Sequence, residues 1–103
     1  MLAVIFEVHI KEGQQEEYLQ MAAELREHLS QLEGFISIER FSSLSNEGKL
    51  CSLSFWENEE AIRQWREFEP HKSAQQKGKA TIFSDFRIRV AKVTRDYSMQ
   101  DRV

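Results

Sequence analysis

Asn58-Glu-Glu-Ala-Ile-Arg-Gln-Trp65, followed after four residues by Pro70-His-Lys-Ser-Ala-Gln-Gln-Lys-Gly78, reads as one helix broken in two. Asn58 is a good N-cap, and Glu59 and Glu60 suit the positive end of the helix dipole. Ala61, Ile62 and Trp65 give the first piece a face to bury. Pro70 has no amide hydrogen and fixes its own φ, so it should end that piece near Phe68 and open the next one. Gly78 should close the second piece. Trp65, Phe68 and His71 surround the break, where irregular backbone can admit a ligand.

Working outward, Lys49 to Trp56 alternates as a strand, with Cys51, Leu53 and Phe55 on one side and Leu50, Ser52, Ser54 and Trp56 on the other. Leu44-Ser-Asn-Glu-Gly48 has hairpin-loop chemistry, because Asn and Gly tolerate positive φ. Its other arm is Phe35 to Ser43, with Ile36 and Ile38 on one side and Phe35, Ser37, Glu39 and Phe41 on the other. Further upstream, Tyr18, Ala22, Leu25, Leu29 and Leu32 step by four, three, four and three, which is one apolar stripe of a helix. Gly34 stands just past its end, ready for a left-handed cap. Leu2 to Ile10 is a strand with Leu2, Val4, Phe6, Val8 and Ile10 on one face and Ala3, Ile5, Glu7 and His9 on the other. Thr81 to Thr94 is the last strand, where Phe86, Ile88 and Val90 alternate against Arg87, Arg89 and Ala91.

The order is therefore β-α-β-β-α-β, the split arrangement of the ferredoxin-like α+β fold. It predicts a four-stranded antiparallel sheet with both helices on one face. Several strands nevertheless carry large apolar residues on both sides: Ile5 opposes Val4 and Phe6, Phe35 and Phe41 oppose Ile36 and Ile38, and Trp56 opposes Phe55. A bare sheet face in water should be mostly polar. The economical solution is a homodimer through the sheet faces, closed by a two-fold axis.

With 103 residues, the chain is one domain. Its net charge of −3 argues against a nucleic-acid partner, which would need clustered positive charge. The one cysteine, Cys51, implies no oxidising compartment and reads as an inert strand thiol. Glu7 and His9 interrupt the first apolar run, which lacks a basic leader, and no run approaches a membrane span. A cytoplasmic protein without a membrane partner is the default expectation.

Two stretches, Gly34-Phe-Ile-Ser-Ile-Glu-Arg-Phe41 and Leu53-Ser-Phe-Trp-Glu-Asn-Glu-Glu-Ala-Ile-Arg-Gln-Trp65, with His71 downstream, resemble the antibiotic biosynthesis monooxygenase family. The resemblance covers roughly residues 2 to 97. It implies a dimeric α+β barrel built from one domain, residues 1–97, with 98–103 as a tail lacking periodicity. The family includes quinone-forming monooxygenases that act without metal or flavin, haem-degrading enzymes and proteins of no known activity. Haem-degrading members pair a first-strand Asn with a Trp and an iron-binding His. Trp65 matches that Trp, whereas Phe6 and Gln75 stand at the other two positions, with His71 one turn early.

The resemblance implies a cofactor-independent monooxygenase that oxidises a small aromatic or quinol-like molecule with molecular oxygen. Alternatives are a non-catalytic small-molecule binding or stress-response protein on the same scaffold, or a haem-binding relative. The candidate catalytic residues are Trp65 and His71, with Phe68, Arg87 and Phe6 as substrate contacts and no cofactor or metal. Trp65 and Phe68 would wall an aromatic slot, although core packing explains Trp65 equally well. His71 has the side chain suited to a general base, and a surface position after Pro70 is its plain alternative. An arginine pointing into a sheet–helix pocket, Arg87 or else Arg89 or Arg40, would hold a phenolate or carboxylate. Cross-strand pairing with Glu7, Glu39 or Asp85 is the simpler role for these arginines. His9, His28 and His71 lack metal-ligand spacing, and Ser52 and Ser54 lack the sharp turn of a nucleophile.

Overall fold

The computed structural model describes residues 1–101, and Glu69 through its backbone only. Its elements are β1 (Leu2–Ile10), α1 (Gln15–Leu29), β2 (Phe35–Ser42), β3 (Lys49–Trp56), α2 (Glu59–Glu67), α3 (Glu69–Lys77) and β4 (Phe83–Lys92). The strands form one antiparallel sheet in the order β2-β3-β1-β4. This is the ferredoxin-like arrangement, with the second helix split. Among the described residues, no helix is long and apolar enough to cross a membrane.

The helix break forms as its residues dictate. Asn58 Oδ1 accepts the Ala61 amide at 2.9 Å, and Phe68 leaves helical conformation with ψ 125°. Pro70 then sits in the first turn of α3. Gly78, however, does not close α3. Its φ is −57°, and the chain runs on through a wider π-helical turn, Gly78–Ile82, before β4. Thr81 belongs to that turn and donates its hydroxyl to the Lys77 carbonyl at 3.0 Å, so β4 starts two residues later than the composition predicts. A Cβ on Gly78 would meet the Phe83 ring at 2.5 Å, which is why glycine is needed here.

Gly34 is likewise not the helix cap expected, because the C-cap of α1 is Ser30 in right-handed conformation. α1 ends at Leu29, and Gly34 takes φ +89° where the chain swings into β2. A Cβ there would lie 2.6 Å from Ala61 Cβ, so its bare backbone lets α2 pack closely. The β2–β3 register shifts between Phe35 and Ser37. That irregularity rotates Phe35 to the helix side, edge-on to Trp56 with centroids 5.3 Å apart, and leaves Ile36 46% exposed. Phe35 therefore shares a face with Ile38 and does not oppose it.

The helices cover the face carrying Val4, Phe6, Ile38, Arg40, Ser52, Ser54 and Trp56. Ile5, Cys51, Leu53 and Phe55 lie on the reverse, half-buried. Near them Glu7 bridges Lys49 at 3.6 Å and Arg89 at 3.4 Å. The helices stop short of β4, whose helix-side row Phe86, Ile88 and Val90 is 38%, 44% and 50% exposed. Two core clusters result. One joins Val8, Tyr18, Leu50, Ile82 and Phe83, and the other Leu29, Trp56 and Ala61 with Ile62 and Trp65.

Candidate functional site

The gap between the clusters follows from two small residues. β3 is a central strand, and its helix side reads Leu50, Ser52, Ser54, Trp56. Both serines are buried, at 7% and 5% exposure, yet neither reaches the helices as a leucine would. A cavity of about 390 Å³ remains above them, floored by all four strands and roofed by α1, α2 and α3. Its walls are mainly apolar, with Val4, Phe6, Leu25, Trp56, Trp65 and Ile88 among them.

His71 reaches this cavity from the first turn of α3. Its ring stacks on Trp65, with centroids 4.4 Å apart and planes 18° from parallel. Nδ1 lies 3.1 Å from the Trp65 carbonyl oxygen. A carbonyl can only accept, so Nδ1 carries the proton and Nε2 keeps its lone pair. Burial lowers the His71 pKa below the usual 6.5, and the hydrogen bond to the Trp65 carbonyl opposes that shift. The neutral form, with Nε2 basic, is therefore the one favoured at neutral pH.

The expected site residues separate on the structure. Trp65, His71 and Phe6 line the cavity together. Phe6 contacts Phe83 and Phe86 at 5.8 and 6.0 Å between centroids. Phe68 is not in the wall; it stacks on Trp65 at 5.7 Å and meets His28 of α1 edge-on at 5.2 Å, so it braces Trp65 from behind. Arg87 is excluded by strand alternation. Phe86 and Ile88 face the cavity, and Arg87, opposite Glu7 in the β1–β4 register, faces the reverse of the sheet.

The arginine in the cavity wall is Arg40, directly across from Ser52 in the β2–β3 register. Its Nε is buried without a hydrogen-bond partner. Lys79, from the π-helical turn, also lines the cavity and lies 5.5 Å over the Phe86 ring. Ser54 Oγ accepts the Trp56 indole N–H at 2.9 Å. The period-two serines on a central strand, and Arg40 two residues from Ile38, were the sequence signals for this lining.

Cys51 points to the reverse face. Burial first, and then Glu7, push its thiol pKa up, which keeps it protonated. No group of three His, Cys, Asp or Glu side chains able to hold a metal occurs among the described residues. The residues also fit a haem-degrading centre poorly. Phe6 and Gln75 both line the cavity and offer no iron ligand, which leaves His71 as the one imidazole in its wall.

Comparison with known proteins gives concordant relatives. The chain is 42% identical over 94 residues to a protein named jasmonate monooxygenase ABM from Pyricularia oryzae, covering 91% of this chain and 44% of that protein. It is 32% identical over 68 residues to the uncharacterized protein YqjZ of Bacillus subtilis, covering 66% of this chain and 58% of that one. The chain thus spans less than two thirds of either relative. A provisionally named antibiotic biosynthesis monooxygenase from Deinococcus radiodurans superposes with TM-score 0.86 at 14% identity, over 98% of this chain and 100% of its own. Rv0793 of Mycobacterium tuberculosis gives 0.83 at 12% identity, over 94% and 98%. These two share the fold. The model of the family described as antibiotic biosynthesis monooxygenase matches residues 1–77, three quarters of the sequence, and the chain belongs to that family.

Proposed function

We propose that this chain is a monooxygenase domain that oxidises a small aromatic or quinol-like compound with molecular oxygen, using no bound cofactor. The observation that carries the reading is His71, its Nδ1 proton committed to the Trp65 carbonyl and its ring set in the wall of an apolar cavity. Phe6 and Trp65 line the cavity with aromatic carbon, and the aliphatic walls exclude water.

The chemistry is balanced without an external reductant. His71 Nε2 takes a proton from an acidic CH2 of the substrate's keto form. The carbanion passes one electron to oxygen, and the radical pair recombines to a peroxide on that carbon. His71 returns the proton to the outer oxygen, and water leaves. One CH2 becomes C=O, and its two hydrogens depart with the second oxygen atom. The apolar walls keep water away from the carbanion and the peroxide, while the same burial makes His71 a weaker base, so the substrate's CH2 must itself be acidic.

Oxygen uptake with a panel of hydroquinones, and with jasmonate because of the fungal relative, tests the proposal. Turnover that falls about a hundredfold or more in His71→Gln, and falls also in Trp65→Ala, is expected. Tight binding of the same compounds without oxygen consumption would leave a non-catalytic binding protein in its place. A Soret shift on haem titration, lost in His71→Ala, would favour the haem-binding relative. We also propose a homodimer, supported by the half-buried Ile5, Leu53 and Phe55 and the open row on β4. Light scattering giving the monomer mass at micromolar concentration would rule the dimer out.

A further inference from the structure

We propose that the molecule bound in this cavity carries a fixed anionic head, a carboxylate, which docks on Arg40 and Ser52 while its apolar body lies over the rest of the floor. The inference rests on the reading above that the cavity is the substrate site, and it adds the substrate's charge.

The charge of the lining is one-sided. Among the described side chains no carboxylate lines the cavity, while Arg40, Arg66 and Lys79 do. The chain as a whole is acidic, at −3, so this positive lining is a property of the cavity and not of the composition. Arg66 and Lys79 are exposed, and water screens them. Arg40 is only partly exposed and stands on the sheet floor.

Arg40 also lacks an internal partner among the described residues. It takes part in no ion pair or hydrogen bond among the described residues, and its Nε is sealed from water with no acceptor. An arginine placed for structural reasons has its donors satisfied, because an unpaired buried donor costs about 1–3 kcal/mol. Its cross-strand neighbour Ser52 is buried and likewise makes no side-chain hydrogen bond among the described residues. A guanidinium and a hydroxyl, adjacent and unengaged, form a donor set for two carboxylate oxygens. A neutral quinol would leave both unsatisfied.

The test is calorimetric titration with a matched pair, 1-naphthylacetate and its methyl ester, which differ in the head and share the ring. The acid should bind about tenfold tighter or more, as expected for charge-assisted hydrogen bonds in a shielded site. Arg40→Gln should abolish the preference by weakening the acid alone, and Arg40→Lys should restore part of it. Equal binding of acid and ester, a preference that survives Arg40→Gln, or no binding of either would overturn the proposal. Ligand-free Arg40→Gln should unfold no more easily than the parent, since it removes an unpartnered charge. A clear drop in its stability would reveal a structural role and count against the proposal. Binding is read without turnover, so the two readings separate. Acid preference without oxygen uptake by any compound would defeat only the oxidation, and turnover of neutral quinols without acid preference only the anionic head.

Discussion

His71 and Trp65 are joined twice: the two rings stack at 4.4 Å, and the imidazole Nδ1–H donates to the indole residue's own carbonyl at 3.1 Å. That carbonyl also accepts the Phe68 amide at 3.1 Å, so the end of α2, normally a place of unsatisfied oxygens, is closed by the residues that follow the break. The Phe68–Pro70 kink thus fixes both the orientation and the tautomer of the candidate base.

This arrangement predicts a pH dependence of stability. Burial lowers the folded-state pKa of His71 below 6.5, so the unfolded chain binds the proton more readily. The stability this group contributes is fully present above about pH 6.5 and is lost as pH falls through the folded value. Urea midpoints measured between about pH 5 and pH 8, above the range where most carboxylates titrate, should decline on the acid side. His71→Gln should flatten that decline. An identical slope in the variant would show that another group is responsible.

A catalytic effect of His71 has a different signature. His71→Gln should lower kcat about a hundredfold or more, the usual share of a general base. KM should change little, because Trp65 and the apolar walls remain. Steady-state oxygen consumption with the best substrate of the panel measures both. A raised KM with kcat intact would make His71 a binding residue only.

Gly34 and Gly13 offer a controlled comparison of strain and packing. Both take positive φ, +89° and +82°, but a Cβ at Gly13 meets nothing within 4 Å, while at Gly34 it would stand 2.6 Å from Ala61 Cβ. Gly13→Ala should therefore cost about 1 kcal/mol from backbone strain alone. Gly34→Ala should cost that plus a further 1–3 kcal/mol, roughly, for forcing α2 off the sheet. Equal losses in chemical denaturation would mean that α2 yields without penalty.

The periodic elements were legible in the sequence, and the site was so only in part. The Tyr18–Leu29 stripe, the Asn58 cap and the Pro70 break act through local rules, so each was readable before any tertiary contact. The Gly78–Ile82 turn was not, because Gly78 is fixed by the Phe83 ring packed against it and not by its own φ. Phe35 was misplaced for a similar reason: one irregularity in β2 reverses the faces of the residues before it. Arg40 and Arg87 show the limit for the site. Alternation tells which residues share a face but not which face the helices take, and that choice sends Arg40 inward and Arg87 outward. The cavity is harder still to read, since it consists of volume that Ser52 and Ser54 fail to fill.

Those serines differ in what they hold, and that difference is testable. Trp56 is 2% exposed, and its indole N–H donates to Ser54 Oγ at 2.9 Å. Ser54→Ala would leave that donor unpaired beside an apolar cavity, at a cost of about 1–3 kcal/mol. Ser52, buried to a similar degree, makes no side-chain hydrogen bond among the described residues, so Ser52→Ala should stay within about 0.5 kcal/mol of the parent. Guanidinium unfolding of the two variants, followed by tryptophan fluorescence, should separate them clearly. Equal loss at both positions would show that burial of the hydroxyl, and not the bond to Trp56, sets the cost, and the indole would then have found another acceptor in the cavity.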